Sequence, residues 1–413
     1  MPAAVPPSAP SPPAPSRSGA AVPWVLSTYF AEGLPYSIVH QVAAQLFAAL
    51  GSSLESIGHT SLYGLAWNLK FAWSPLVDRL GTTRRWLVVT EAALGIAVAA
   101  LAWPAQRGDL RLVARGLVGI AVLAATHDIA IDGFYLRALG QDAQAALSGL
   151  RAAAFRVALF VGTSVLVVIA GRFSWRACFL AAGAILLVLA LGHALLLPAE
   201  LREPTAEPPA QARFVDAFAS FLTQPQAAVS IAFILVFRAG DALVFAMSVP
   251  LQRELGLQTE ARGVLAGVGT IAVITGATAG GAVIARLGLG RTLLPIATVQ
   301  SLAILLYVAL AAARPALGWI AAAVIAEQLV VGVGTAAFMV FVMRRATGKH
   351  KASHFAMATA LMSVAHTVAG AASGHLAARL GFPAFFAVAF VVSLPGIALS
   401  RVVPRGNGEG GGR

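Results

Sequence analysis

The sequence predicts an all-α membrane protein with twelve transmembrane helices in two six-helix halves. Of its 413 residues, 58% are hydrophobic and only 11% are charged, and the mean hydropathy is +0.81. Soluble globular domains carry about 25% charged residues, so this composition excludes an ordinary soluble protein. Two further observations support the prediction: a series of long apolar segments, and a repeat that relates the two halves of the chain.

The apolar segments follow one another along almost the whole chain. Most approach or exceed the roughly 20 residues that a helix needs to cross a bilayer. An even number of crossings places both termini on the same side of the membrane. We number the segments spans 1 to 12, and they lie at 24–50, 57–77, 86–103, 112–136, 151–170, 176–197, 226–251, 261–285, 292–312, 316–343, 353–377 and 382–402.

The remaining segments divide the chain into two halves. Residues 198–225 are rich in proline and charge and are predicted to form a cytoplasmic linker, so the halves comprise 21–197 and 226–403. Residues 1–20 contain seven prolines and are predicted to be a disordered tail, because such a composition cannot bury enough apolar surface to fold. Residues 404–413 are predicted to be a flexible tail.

The distribution of Lys and Arg predicts the orientation. With the N-terminus inside, 16 of these side chains fall on the cytoplasmic side and 8 on the other. Cytoplasmic loops hold the excess of basic residues, so both termini are predicted to be cytoplasmic. The net charge of +12 does not indicate nucleic-acid binding, which needs a soluble basic face. We expect the apolar outer surface of the spans to contact the lipid bilayer.

A repeat relates the two halves. The segment Arg79-Leu80-Gly81 recurs 207 residues later as Arg286-Leu287-Gly288, and the same offset relates Gly33 of span 1 to Gly240 of span 7. Each of the latter two glycines lies in a short polar interruption of an apolar span. Corresponding interruptions in two halves are typical of the central binding site of secondary transporters. The sequence therefore predicts the major facilitator fold.

Ionisable residues within spans are costly and tend to face a cavity or a partner. On span 1, Glu32, Tyr36 and His40 are four residues apart and form one stripe, which we expect to line a substrate path. Alternatively, Glu32 lies near a membrane face and is solvated there.

On span 4, Asp128 and Asp132 are also four residues apart, so both carboxylates point the same way. Lys70 of span 2 is at a comparable depth and is the expected partner of both. We expect the three to respond to protons, since burial and a neighbouring cation shift carboxylate pKa values in opposite directions. The alternative is a static ion pair that holds spans 2 and 4 together.

The second half contributes three further candidates for the substrate path. Arg238 and Asp241 are three residues apart on span 7 and could simply pair within their helix. Glu327 lies in span 10 before a run of small residues that begins at Gly332, and such runs permit close approach of helices.

The turn between spans 2 and 3 contains Asp78, Arg79 and Arg84. An acid and several arginines around a tight turn can form a charge latch that closes one face of a pore. The alternative is an ordinary basic cytoplasmic loop. The second copy of the repeat has Ala285 in place of Asp78, so only the first copy is complete.

Several chemistries are missing from the sequence. It has no G-x-x-x-x-G-K-[ST] phosphate loop, so ATP is not the direct driver, and it has neither H-E-x-x-H nor G-x-S-x-G. Cys178 is the single cysteine, which excludes a disulfide framework. We therefore expect no enzymatic activity, no cofactor and no metal, and a transport cycle driven by a proton gradient.

Five segments carry a resemblance to a known family: 29–36, 69–79, 127–133, 237–242 and 332–337. They are similar to the AmpG-type anhydromuropeptide permeases and the related acetyl-CoA transporters of the major facilitator superfamily. The resemblance implies proton-coupled import of a cell-wall turnover product across the inner membrane of a bacterium. His127 and Glu32 depart from the family pattern, in which Gln and a small or neutral polar residue are usual.

The charges within the spans help to choose between the two cargoes of this family. Five acids, among them Glu32 and Glu327, face three bases, and a CoA thioester with its several phosphates would need a basic cavity. We therefore expect a small muropeptide as substrate and a monomeric protein. Two alternatives stay open: a proton antiporter that exports a drug or metabolite, and a membrane sensor or scaffold that does not transport.

Overall fold

The computed structural model describes residues 18–199, 216, 218–346 and 351–404, and the regular secondary structure of these residues is helical throughout. The predicted all-α fold is confirmed. Residues 1–17 and 405–413 of the predicted tails and residues 200–215 of the predicted linker lie outside the described residues. Residues 18–20, expected in the tail, already belong to the first helix.

The helices follow the predicted spans in order. Spans 1 and 2 are composed of several short pieces, whereas most later spans are long helices. In the first half the α-helices are Ser18–Ser37, Ala43–Ala49, Leu54–His59, Leu65–Leu69, Ser74–Arg79, Thr83–Ala100, Ala102–Arg107, Leu110–Ala138, Gln141–Phe160, Val167–Arg172 and Trp175–Leu196. In the second half they are Ala227–Val236, Ala239–Glu254, Thr259–Leu287, Leu289–Ala313, Leu317–Arg345 and Lys351–Val402.

Nine helices in the described part of the chain are long and apolar enough to cross a membrane. The last of them contains both span 11 and span 12, which meet at Gly381, where φ is 71°. Spans 1 and 2 are outside this set. The count of twelve crossings stays a prediction.

The backbone differs between the two halves at the polar interruptions related by the repeat. Span 1 is α-helical through the polar Glu32-Gly33 and changes to a π-helix at Ile38–Val42, about one turn further along. A Cβ atom at Gly33 would lie 2.8 Å from the Cβ of Ala158, and this glycine therefore allows spans 1 and 5 to pack closely.

In span 7 the interruption lies where it was expected. The helix Ala227–Val236 ends, and a new helix begins at Ala239, directly before Gly240. The repeated Arg-Leu-Gly turns also have a common backbone form, because φ is 96° at Gly81 and 80° at Gly288. Such values strain other residues, so glycine is needed where one helix ends and the next begins.

The halves share a core at one end of the bundle only. One continuous apolar cluster crosses both halves at the end that carries the turns at 50–53, 173–174 and 255–258, which we call the joined end. At the opposite end, which carries the turns at 80–82 and 288 and which we call the split end, each half has its own cluster. The halves therefore meet at the joined end and are separate at the split end.

Glycines allow the backbones of the two halves to touch at the joined end. A Cβ atom at Gly58 of span 2 would lie 2.8 Å from the backbone nitrogen of Gly374 in span 11. A Cβ atom at Gly263 of span 8 would lie 2.9 Å from the backbone nitrogen of Val168 in span 5. Contacts this close hold the joined end by van der Waals packing, which drives helix association in lipid.

Spans 8 and 10 pack in the same way within the second half. A Cβ atom at Gly276 would overlap the carbonyl oxygen of Leu329, and one at Gly332 would overlap the carbonyl oxygen of Val273. The small-residue run predicted around Gly332 thus lies at a close helix contact.

This contact predicts that Gly276→Ala lowers the free energy of unfolding by about 3 kcal/mol, because the added methyl group forces two backbones apart. Gly281→Ala, in the same helix but with no atom within 4 Å of the added Cβ, is the matched control. The control should gain up to about 1 kcal/mol from helix propensity. Thermal unfolding in detergent measures both, and equal melting temperatures would contradict the packing argument.

Candidate functional site

Lys70 and Asp128 form an ion pair between spans 2 and 4. Lys70 begins a 3₁₀ turn, Lys70–Ala72, that interrupts span 2, while Asp128 lies in the continuous helix of span 4. The side chain of Lys70 is 33% exposed and that of Asp128 is 9% exposed. The structure thus brings together two of the three residues predicted to respond to protons.

Asp132 has a different cation, so the expectation that Lys70 pairs directly with both carboxylates is wrong. Arg151 Nη2 of span 5 lies 3.2 Å from Asp132 Oδ1, and the Tyr29 hydroxyl donates to the same oxygen at 2.9 Å. The guanidinium of Arg151 also lies over the ring of Tyr29, 4.5 Å from its centroid. Sequence reasoning left this cation out of the count of bases within the spans, because Arg151 stands at the start of an apolar span.

Glu32 lies beside these two ion pairs. It interacts electrostatically with Asp128, Asp132 and Arg151, and its buried Oε2 atom has no hydrogen-bond partner among the described residues. Three carboxylates therefore share two cations, Lys70 and Arg151. An unpaired carboxylate oxygen in a buried site is costly, and a proton removes that cost.

Tyr36 and His40 continue from Glu32 along span 1 and form an aromatic cluster with Trp67 of span 2. The Tyr36 and His40 rings stack with centroids 4.0 Å apart, and the Trp67 ring meets both at their edges. His40 Nδ1 lies 3.0 Å from the carbonyl oxygen of Tyr36, which fixes the imidazole ring. In the stripe of Glu32, Tyr36 and His40, the last two side chains are therefore held by ring contacts rather than by charge.

Glu91 of span 3 is a further buried acid that the sequence-based count of charges missed. Its side chain is fully buried, and its Oε2 lies 2.6 Å from His193 Nδ1 of span 6. His193 Nε2 in turn lies 2.8 Å from the Ser27 hydroxyl of span 1. Arg151 and Glu91 together correct the count of charges within the spans.

In the second half, Arg238 and Asp241 meet at the break in span 7. Arg238 Nε lies 3.5 Å from Asp241 Oδ2, and Arg238 Nη1 donates to the Thr335 hydroxyl of span 10 at 3.0 Å. The Gln300 amide of span 9 donates to the same oxygen of Asp241. A side chain at Gly334 would overlap the Gln300 amide, so glycine there makes room for this contact.

Glu327 of span 10 is buried near this group, with 3% of its surface exposed. The amide of Gln328 donates to Glu327 Oε2 at 2.8 Å, and Tyr307 of span 9 lies beside it. Glu327 interacts electrostatically with Asp241 and Arg238 rather than through direct contact. Each half thus contains a cluster of buried acids with at least one cation.

A cavity lies between the two halves, and the described residues that line it include no Asp, Glu, Lys or Arg. Amide, hydroxyl and aromatic side chains from both halves line it: Gln41, Gln45, Ser61, Thr163, Phe245, Ser248, Gln252, Thr270, Tyr307 and Gln328. Among the six residues predicted for the substrate path, His40 alone lines the cavity. The charged candidates are not among the residues that line it.

The π-helix of span 1 explains how its polar side chains reach the cavity. His40 and Gln41 lie in the π-helical turn Ile38–Val42, and a second π-helix, Val161–Leu166 in span 5, contains Thr163. Such turns are rare and occur frequently at functional sites, because the extra residue changes the direction of side chains. Sequence periodicity does not reveal these two π-helical turns.

The predicted latch lies at the split end. Arg84 donates to the carbonyl oxygens of Ala194 and Leu197 at 2.7 and 3.3 Å, which places its charge at the C-terminus of span 6. Cations are favourable there because helix C-termini carry partial negative charge. Arg79 is exposed, and the side chain of Asp78 lies outside the described part of the structure. The latch stays a prediction.

No cluster of three or more His, Cys, Asp or Glu side chains in the described part of the chain could hold a metal ion. The site therefore consists of a neutral cavity and two groups of buried charges.

The chain matches the model of the Major Facilitator Superfamily over residues 25–346 and belongs to that superfamily of membrane transporters. It is 29% identical over 384 residues to the anhydromuropeptide permease of Escherichia coli K12, which covers 90% of this chain and 77% of the permease. The resemblance to AmpG-type permeases drawn from the sequence is confirmed.

Solved structures have the same fold. The nucleoside transporter NupG matches with a TM-score of 0.69 at 15% identity, over 92% of this chain and 97% of its own. A D-xylose-proton symporter matches with a TM-score of 0.69 at 12% identity, over 94% of this chain and 98% of its own. These likenesses confirm the predicted major facilitator fold.

The ion pair of spans 2 and 4 predicts that Lys70→Met lowers the free energy of unfolding by about 2 kcal/mol, because Asp128 is left buried without its cation. Adding Asp128→Asn should restore part of the loss, since no unpaired charge then remains. Arg172→Gln, which breaks the exposed pair with Glu260, is the control and should cost less than about 1 kcal/mol. A Lys70→Met variant as stable as the parent would show that the pair contributes nothing.

Proposed function

We propose that this transporter is a proton-coupled symporter that imports a cell-wall turnover product of the anhydromuropeptide type. It works as a monomer in the bacterial inner membrane, with both termini in the cytoplasm. The observation that carries the proposal is the 29% identity to the anhydromuropeptide permease over 90% of this chain. A similarity that extends over both halves includes every element that surrounds the cavity.

The chemistry of the cavity supports this class of cargo. Amino sugars present hydroxyl and N-acetyl groups, and the wall offers matching partners in Gln41, Gln45, Gln252 and Gln328. Glutamine amides both donate and accept hydrogen bonds, and they carry no charge that would need to be desolvated. Small-molecule sites are commonly apolar with a few such polar groups. A wall without basic residues suits a phosphate-rich CoA ester poorly.

The orientation follows from the excess of Lys and Arg at the split end. Cytoplasmic loops hold this excess, so the split end faces the cytoplasm and the joined end faces outward. The structure then corresponds to an inward-facing state, closed toward the outside by the glycine contacts of spans 2 with 11 and 5 with 8. Alternating access requires that these contacts break while the split end closes.

Protons act on the group of three carboxylates in the first half. Asp128 and Asp132 are each held by a cation, and Glu32 lies between them with a free oxygen. A proton on the span 4 pair releases Lys70 and lowers the barrier to inward opening, because Lys70 alone joins span 2 to Asp128. Glu32 is placed to receive the freed cation. Arg238, Asp241 and Glu327 serve the same purpose in the second half by gating the path to the cavity.

This mechanism predicts that uptake of labelled anhydromuropeptide into proteoliposomes rises several-fold when an inward proton gradient is imposed. Asp128→Asn should abolish the dependence on the gradient, since a neutral amide neither binds a proton nor holds Lys70. Asp142→Asn, an exposed acid in the first turn of span 5, is the matched control and should leave it unchanged.

Each outcome of this experiment is decisive. Uptake that stays gradient-dependent in Asp128→Asn would contradict the assigned role of span 4. Efflux of the cargo driven by the gradient would replace the importer with the proton antiporter. A correctly folded parent that neither transports nor binds the cargo would favour the sensor or scaffold.

A further inference from the structure

Arg262 is a buried guanidinium that the proposed transport mechanism does not use. It lies in the first turn of span 8 with 1% of its surface exposed. Its Nη2 atom donates to the Thr259 hydroxyl at 3.1 Å, while Nε and Nη1 have no partner among the described residues. A guanidinium has five N–H donors, and burying them unpaired is costly.

The acids nearest to Arg262 in the sequence form ion pairs with other arginines. Glu260 lies 2.7 Å from Arg172 Nε, and Glu254 lies 2.5 Å from Arg314 Nη2. A second cation, Arg253, acts electrostatically on Arg262. The surroundings of Arg262 are therefore positively charged, and no carboxylate of the described residues compensates for it.

The N-terminus of the span 8 helix adds to this positive charge. Its helix, Thr259–Leu287, has 29 residues, and Gln258 makes no side-chain cap at its N-terminus. The N-terminus of a long helix carries partial positive charge and free N–H groups, which favour an anion. Helical side chains lean toward the N-terminus, so the guanidinium lies over this turn and contacts Thr259.

Along span 8, Arg262 lies between the turn at the joined end and the residues that line the cavity. The next residue, Gly263, packs against Val168 of the other half, so this turn belongs to the contact that must open. One turn further along span 8, Leu265 and Ala266 line the cavity. When the halves part at the joined end, the turn that holds Arg262 loses its cover.

We propose that Arg262, together with the N-terminal turn of span 8, binds a carboxylate group of the cargo as it enters from the joined end. This inference rests on the proposed function, since a sugar that bears a peptide carries at least one carboxylate. A planar carboxylate accepts two parallel hydrogen bonds from a guanidinium, and Nε and Nη1 are the atoms that are free to donate them. The neutral cavity wall then receives the sugar.

Without cargo, the closed joined end is costly, because it buries the guanidinium of Arg262 unpaired. A bound carboxylate pairs the guanidinium when the joined end closes over it, whereas departure of the cargo leaves Arg262 buried and unpaired. The empty transporter then favours reopening of the joined end. Arg262 thus couples occupancy of the cavity to the position of the halves.

The test compares two probes that differ only in charge: an anhydromuropeptide with free carboxylates and the same molecule with these groups as methyl esters. Binding to the full chain in detergent is measured for the parent, Arg262→Gln and Arg262→Lys, with Arg176→Gln, at an exposed arginine of the same end, as a control. We expect Arg262→Gln to weaken the free acid at least tenfold and to leave the ester unchanged. Arg262→Lys should restore part of the affinity.

The inference is overturned if Arg262→Gln weakens both probes equally or weakens neither. If the parent binds neither probe, the proposed cargo is wrong, and the anion site is tested separately with succinate against chloride at equal ionic strength. A rise in the melting temperature with succinate in the parent but not in Arg262→Gln supports the site. No rise in the parent overturns it.

Discussion

The structure depends on keeping ionisable side chains compensated within each half of a bundle that lies in lipid. Lys70 with Asp128 and Arg151 with Asp132 do this in the first half, and Arg238 with Asp241 does it in the second. Because these pairs form inside one half, the halves can move relative to each other without exposing a charge to hydrocarbon. Apart from the exposed pair of Arg172 with Glu260, the surface between the halves consists of amides, hydroxyls, aromatic rings and glycine backbone.

The same separation explains the shape of the molecule. At the joined end, glycines such as Gly58 and Gly263 bring backbones into contact and one apolar core extends across both halves. At the split end, each half closes on its own core. The glycine contacts contain no hydrogen bonds or ion pairs, and the ion pair that joins the halves at this end, Arg172 with Glu260, is exposed, so the joined end can open at low energetic cost. Arg262 is the exception, and its unpaired donors mark the place where cargo contributes.

Periodicity and hydropathy predicted the helical fold, the order of the spans and the contact of Lys70 with Asp128, because these follow from local sequence and membrane depth. The partner of Asp132 was missed, since Arg151 stands at the start of an apolar span and was left out of the count of bases within the spans. Glu91 was overlooked because its partner His193 lies three spans further along the chain. The neutral cavity wall depends on π-helical turns, and these leave no clear periodic signal.

The central claim is that the two halves rock about the cavity, and inter-spin distances measured by double electron–electron resonance test it most directly. In a Cys178→Ala background, labels at exposed Phe173 and Trp319 report on the joined end, and labels at exposed Leu80 and Leu287 report on the split end. On addition of anhydromuropeptide at acidic pH, we expect a shorter distance component at the joined end and a longer one at the split end, because protons and cargo both favour the closed joined end. Distances that stay fixed, or that change in the same direction at both ends, would contradict it.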